Sequence, residues 1–165
     1  MKILDACCGS KMFWYNKHEP HTTYIDNRSE KDQVKDRQYI RDIVISPDII
    51  ADFRKLPFKD DEFDLVVFDP PHLIHAGENS WLKLKYGCLP KDWSTYIKAG
   101  FDECMRVLKP TGTLLFKWSN NQIPFNKVLN VIDQKPILGD RRGTTRWSVF
   151  IKGAENGQSN DKKQN

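Results

Sequence analysis

The segment Phe63-Asp64-Leu65-Val66-Val67-Phe68 runs straight into Asp69-Pro70-Pro71-His72, and it restricts the fold more than any other stretch of this chain. The run is apolar almost without alternation. A strand with one wet face alternates, whereas a strand buried on both faces does not. Strands of the second kind belong to parallel sheets with both faces covered. Two prolines at its end cannot continue a hydrogen-bonded ladder, so the strand stops there. The first proline also keeps Asp69 out of the helical region. A carboxylate therefore sits at the end of a buried strand on a stiff turn.

The rest of the chain fits the same plan. Lys2 to Ala6 reads as a short strand, followed by the small-residue turn Cys7-Cys8-Gly9-Ser10 and a helical turn over Lys11 to Lys17. Thr22 to Ile25 reads as a strand ending in Asp26. Ser29 to Arg41, dense in charge, reads as an exposed helix or a mobile loop. Ile43 to Ile45 and Ile49-Ile50 bracket Ser46-Pro47, which leaves strand pairing there open. Residues 73 to 92 read as irregular. Helical spacing covers Trp93 to Leu108, with Pro110-Thr111-Gly112 as its stop. A strand over Thr113 to Trp118, a helix over Phe125 to Ile132, and two strands at Pro136 to Leu138 and Arg146 to Ile151 complete the pattern. Alternating strands and helices predict an α/β sandwich with a mostly parallel sheet, closed by an antiparallel C-terminal hairpin. Residues 1–152 form one domain in this reading, and the polar segment 153–165 is a disordered tail.

A chain of 165 residues is long enough to bury one core. No apolar run approaches the roughly 20 residues that cross a bilayer, and the N-terminus lacks a signal-peptide pattern, so a cytoplasmic protein is expected. Cys7, Cys8, Cys88 and Cys104 show no CxxC spacing, which argues for free thiols over a zinc site. The net charge of +4 suits a polyanionic partner but equally a solvated surface. Lys83, Lys85 and Lys91 in one loop, and Arg141, Arg142 and Arg146 in another, are the candidates for phosphate contact.

In parallel sheets, ligands bind beyond the carboxyl ends of the strands, and acidic residues gather at those ends here. A small-residue turn follows Asp5, letting a ligand approach the backbone. One glycine, Gly9, and no GxGxxG make a dinucleotide or triphosphate a poor fit. Asp26, about twenty residues after the first strand, stands where ribose hydroxyls are held in nucleoside-binding sheets. Asp52 can accept from an adenine amine while Phe53 packs on the ring. Each acid alone also reads as a cap or turn residue; together they point to a nucleoside without phosphate. The Asp69 turn suits a primary amine, whose two hydrogens donate to the Asp69 carboxylate and the Pro70 carbonyl. That arrangement favours a pyramidal nitrogen with a free lone pair, with His72 available to stack.

Asp69-Pro70-Pro71-His72 resembles the (D/N/S)PP(Y/F/W) motif of amino-group methyltransferases, which include DNA adenine-N6 and cytosine-N4 enzymes. Leu4-Asp5-Ala6-Cys7-Cys8-Gly9 resembles their S-adenosylmethionine loop. Asp52 to Phe58 with Phe63 to Val66, and Met105 to Thr113, are similar to the wider class I pattern, so the resemblance spans residues 1 to about 152. The small size is similar to that of stand-alone enzymes of phages and prophages. The resemblance implies a Rossmann-like fold with S-adenosylmethionine as cofactor. Asp5, Cys7 and Gly9 would line its methionine end, Asp26 its ribose, and Asp52 and Phe53 its adenine. Asp69, Pro70, Pro71 and His72 would face the target amine. Lys83, Lys85, Arg141 and Arg142 would hold a nucleic-acid backbone. Direct in-line transfer needs no metal, and adenine N6 in DNA is the expected target, since many adenine-N6 enzymes share the Asp-Pro-Pro form.

The sequence departs from that family at three places. His72 replaces an aromatic ring, the glycine-rich loop is reduced to Gly9, and no separate target-recognition domain is evident. Specificity then falls to the 73–92 loop, the Arg141–Arg146 turn, a partner subunit or a homodimer. An RNA base methyltransferase is the nearest rival. A protein-glutamine methyltransferase is disfavoured because those usually carry Asn at the first motif position. A non-catalytic partner subunit need not keep Asp69, and an α/β domain without cofactor leaves three acidic strand ends unexplained.

Overall fold

The computed structural model describes residues 1–36, 38–77, 80–140 and 142–153. Arg141 and the segment 154–165 lie outside the described residues, and with them one of the expected phosphate contacts and nearly all of the expected tail. Seven strands form one sheet: β1 (Ile3–Asp5), β2 (Thr22–Asp26), β5 (Ile49–Ile50), β6 (Phe63–Phe68), β7 (Leu108–Ser119), β8 (Leu138–Gly139) and β9 (Thr145–Ile151). Their spatial order is β5-β2-β1-β6-β7-β9-β8. The five strands from β5 to β7 pair in parallel. β9 runs antiparallel to both β7 and β8, so the antiparallel closure lies at the C-terminal side. This is the Rossmann-like sheet of class I methyltransferases. No described helix is long and apolar enough to cross a membrane.

One face of the sheet carries α2 (Trp93–Val107) and α3 (Phe125–Ile132). The core between them is aromatic: Phe68, Phe101, Phe116, Trp118 and Phe150 are all essentially buried. Phe68 stacks on Phe116 at 5.4 Å, Phe101 meets Phe150 edge-on at 5.1 Å, and Trp118 Nε1 donates to the Ile123 carbonyl at 2.8 Å. Buried indole N–H groups need such an acceptor. Gly100 on α2 gives Phe53 its room. A methyl group there would clash with the edge of the Phe53 ring and lie 2.9 Å from Phe68 Cζ.

Four expectations are corrected. Lys11 to Lys17 forms turns and bends without a helix. Its side chains reach sideways instead: Trp14 packs edge-on against Tyr24 at 5.2 Å, and Phe13 against Trp147 at 5.5 Å. Ser29 to Arg41 is neither helix nor loop but the larger part of a hairpin, β3 (Glu30–Asp36) with β4 (Tyr39–Ile45). Val34, Ile43 and Ile45 share a buried face there that Trp81 and Leu84 cover. Charge on the open face hid a strand alternation that only this distant partner completes. Those two residues belong to α1 (Trp81–Tyr86), so residues 73–92 are not wholly irregular. Finally, α2 passes at Val107 directly into β7. Pro110-Thr111-Gly112 is an irregular stretch of that strand, and pairing jumps from Phe63–Leu108 to Leu65–Thr113.

Candidate active site

The sheet order reverses around β1, with β2 on one side and β6 on the other. Crevices open at such a point, beyond the carboxyl ends of the strands. Register aligns the acids there: Asp5 is opposite Tyr24 and Val67, two positions before Asp26 and Asp69, and Asp26 is opposite Ile50, two before Asp52.

Two cavities meet at this crevice. The smaller, of about 140 Å³, is lined by Cys7, Asp26, Phe53, Tyr96, Asp69 and Pro71, with Arg28 and the end of α1 closing it. The other, of about 250 Å³, is lined by Met12, Phe13 and Lys117, and shares Asp69, Lys85 and Tyr86 with the first. Asp69 is thus the carboxylate in the wall between them. Its side chain is 9% exposed, and its Oδ2 accepts from Lys117 Nζ at 2.6 Å. Its Oδ1 is buried without a hydrogen-bond partner among the described residues. Burial pushes the Asp69 carboxyl above its usual value, against the opposing pull of Lys117.

Of the residues expected at the cofactor, Cys7, Asp26 and Phe53 line the smaller cavity. Gly9, at φ +48°, does not line it but donates its N–H to Asp26 Oδ2 at 3.0 Å. Arg28 occupies the other oxygen through its backbone N–H at 3.0 Å and Nε at 3.3 Å, and its Nη1 donates to the Leu84 carbonyl at 2.8 Å. Arg28 thereby ties β2 to α1 across the cavity mouth. Asp5 lies beneath, fully buried, and accepts from Trp14 Nε1 at 2.7 Å. Burial lifts its carboxyl to about 7. Asp52 is not part of the lining; it forms an ion pair with Arg54 at 2.6 Å, and Arg54 sits over the Tyr96 ring at 4.5 Å. Burial pushes the Cys7 thiol well above its usual value, which disfavours the thiolate that a nucleophile needs.

On the amine side, Asp69 and Pro71 line the crevice, whereas Pro70 and His72 do not. The His72 ring packs beside Tyr86 at 5.3 Å and Trp118 at 6.4 Å, and burial lowers its pKa, which keeps it neutral. Lys85 corrects another expectation. It is 6% exposed, and its ammonium lies over the Trp81 and Tyr86 rings at 4.4 and 4.6 Å, inside the crevice and away from any surface path for a phosphate backbone. Lys83 is half-buried on α1, and Arg142 is exposed on the turn before β9.

Sequence reasoning missed Arg28, Tyr86, Tyr96, Phe13 and Lys117. Lys117 alone carried a signal, as a single charge in the otherwise apolar run Leu114-Leu115-Phe116-Lys117-Trp118. A cation in a strand covered on both faces requires a buried partner, and Asp69 was the acid at the neighbouring strand end.

No protein-family model matches this sequence, and no curated protein matches it. Solved structures match in fold. The PH0226 protein of Pyrococcus horikoshii superposes with a TM-score of 0.59 at 16% identity, over 92% of this chain and 81% of that one. A TehB-like SAM-dependent methyltransferase from Corynebacterium glutamicum gives 0.53 at 16%, over 92% and 79%. The N-methyltransferase NodS from Bradyrhizobium japonicum gives 0.53 at 15%, over 92% and 85%. At such identity the likeness establishes the class I methyltransferase fold.

Proposed function

We propose that this chain is an S-adenosylmethionine-dependent methyltransferase acting on an exocyclic amino group. One observation carries the reading: the Asp69 carboxylate lies in the wall between two cavities, with Oδ2 tied to Lys117 and Oδ1 buried and unpartnered. A buried acceptor oxygen without a donor is costly, and a substrate N–H would satisfy it.

The smaller cavity suits the cofactor in chemistry. Asp26 offers acceptors for ribose hydroxyls, the edges of Phe53 and Tyr96 flank a planar ring, and the Ala6–Cys7 turn leaves the backbone approachable. Its volume of about 140 Å³ is below the roughly 300 Å³ at which ligand pockets begin. Binding therefore moves Arg28 and the end of α1 outward and frees one Asp26 oxygen. Bound there, S-adenosylmethionine supplies a methyl group on a sulfonium centre. Asp69 Oδ1 and the Pro70 carbonyl hold the two hydrogens of the incoming amine, which orients the nitrogen lone pair and keeps water out. Burial raises the Asp69 carboxyl, so Oδ1 is also a better proton acceptor than an exposed carboxylate.

The substrate we favour is adenine N6 in DNA, ahead of cytosine N4 and of RNA bases. Its support is the Asp-Pro-Pro form of the motif and a formal charge of +4. A duplex base reaches a buried carboxylate only by leaving the stack. Lys83 and Arg142 are the described basic residues of the expected set that stand outside the crevice. The test incubates labelled S-adenosylmethionine with duplex DNA, single-stranded DNA and total RNA, followed by nucleoside digestion, with Asp69→Ala as control. Label in N6-methyladenine from DNA is the expected result. Label confined to RNA rejects the DNA target alone. Label retained by Asp69→Ala rejects the assigned chemistry.

A further inference from the structure

Resting on that reading, we propose that the target enters the cavity between Phe13, Tyr86 and Lys117 as a planar aromatic amine, and that Lys117 positions the Asp69 carboxylate that receives it. The volume, about 250 Å³, is below that of a pocket for drug-sized ligands and suits a single ring system. Its walls are flat. Lys117 Nζ lies 5.6 Å from the Phe13 ring centroid, 5.7 Å from that of Trp147 and 6.0 Å from that of Tyr86, so three rings surround the ammonium. Phe13 and Trp147 brace each other edge-on. Every nucleobase has a π face that such rings can stack on. His72, the motif position where a stacking ring is expected, packs against Tyr86 and Trp118 and leaves that task to Phe13, which Trp147 braces from behind, and to Tyr86.

The selection for an amine comes from the Lys117–Asp69 pair. A buried carboxylate without a counter-charge takes up a proton, which turns one oxygen into a donor and leaves the other a weaker, neutral acceptor for an N–H. Lys117, opposite the Asp69 turn on β7, holds the group ionised and takes only Oδ2. Oδ1 is left facing a substrate hydrogen. The charged or titratable groups that face Asp69 include Lys117 from β7, Lys85 from α1, His72 from its own turn, Asp5 from β1 and the Cys7 thiol just after β1. Lys85 reinforces Lys117, and His72 stays neutral. The Asp5 carboxyl, lifted to about 7 chiefly by burial and in part by the Asp69 charge, titrates in the same range, so the Lys117 variants are compared in an Asp5→Asn background, where a pH difference reports Asp69.

The test is calorimetry on the full chain, first with S-adenosylhomocysteine and then, at saturation with it, with adenosine, cytidine and uridine. Adenosine or cytidine should bind, and uridine, which lacks the exocyclic amine, about tenfold more weakly. Phe13→Ala should weaken nucleoside binding about tenfold and leave S-adenosylhomocysteine binding intact. Lys117→Met should bind nucleosides poorly at neutral pH and recover as the pH rises and Asp69 ionises, while Lys117→Arg should bind as the unaltered protein does. A merely structural lysine would give no such pH recovery. If the unaltered protein binds S-adenosylhomocysteine but no nucleoside, or Phe13→Ala binds nucleosides undiminished, the pocket is overturned and the cofactor reading survives. If Lys117→Met shows an unchanged pH profile, the positioning role is overturned. Failure to bind S-adenosylhomocysteine takes down the underlying function, and this inference with it.

Discussion

The two cavities on either side of Asp69 are built in opposite ways. The one on the Asp26 side is assembled from consecutive strand ends: Cys7 after β1, Asp26 on β2, Phe53 after β5 and Asp69 after β6. The one on the Phe13 side draws on an irregular loop, on α1 and on the carboxyl end of β7. The floor of the first follows from a parallel sheet with acids at its strand ends, and Arg28, Tyr96 and the end of α1 complete it. The second exists only because Phe13, Tyr86 and Lys117, far apart along the chain, converge. A site that many folds share can be written locally, whereas one that discriminates a target is gathered from wherever the fold brings side chains together.

Removing the shared carboxylate tests that division most severely. Asp69→Asn should lower methyl transfer about a hundredfold or more, while S-adenosylhomocysteine affinity, measured by calorimetry, changes little. Parallel loss of both would show that the wall serves the cofactor as much as the target.

Asp5 gives the next largest effect, because it belongs to the row of strand-end acids but takes its hydrogen bond from Trp14 in the Phe13-side loop. Its folded pKa is raised from 3.8 to about 7, so the folded chain holds a proton that the unfolded chain releases. Its share of stability is therefore greatest at or below pH 4 and falls as the pH rises through about 7. Asp5→Asn removes that loss. The variant should gain about 4 kcal/mol over the unaltered chain at pH 8, and the gain should shrink toward pH 4, as read by denaturant melts. A pH-independent gain would mean that Asp5 is ionised in the folded chain throughout.

Gly100→Ala acts on one side only. The added methyl group displaces Phe53, at a cost of about 2 kcal/mol, visible as a fall in Tm. Cofactor affinity should fall too, and nucleoside binding on the Phe13 side should not. Asp26→Asn is the mildest of the four. Loss of one charge-assisted acceptor should weaken S-adenosylhomocysteine about tenfold, again without effect on the other cavity. An equal fall in nucleoside binding in either variant would break the separation of the two sides.

The run Phe63–Phe68 and the acids at strand ends made the parallel sheet legible in the sequence, together with Cys7, Asp26 and Phe53 of the Asp26-side lining, because backbone period and chain-stopping prolines act within a few residues. The same local reasoning failed at Ser29–Arg41. There the strand face of Val34, Ile43 and Ile45 is completed by Trp81 and Leu84 on α1, about forty residues downstream. It failed again at Lys85, which composition reads as a surface cation and the structure buries beneath Tyr86. The sequence by itself determined the parallel sheet, the stop at Asp69 and the row of acids, since these rest on interactions between chain neighbours. Only the tertiary structure decided that Lys117 would hold Asp69, that Arg28 would bridge Asp26 to α1, and that Phe13 would meet Trp147. Each of these is a contact across strands or loops, and its energy depends on burial and distance that no spacing along the chain encodes.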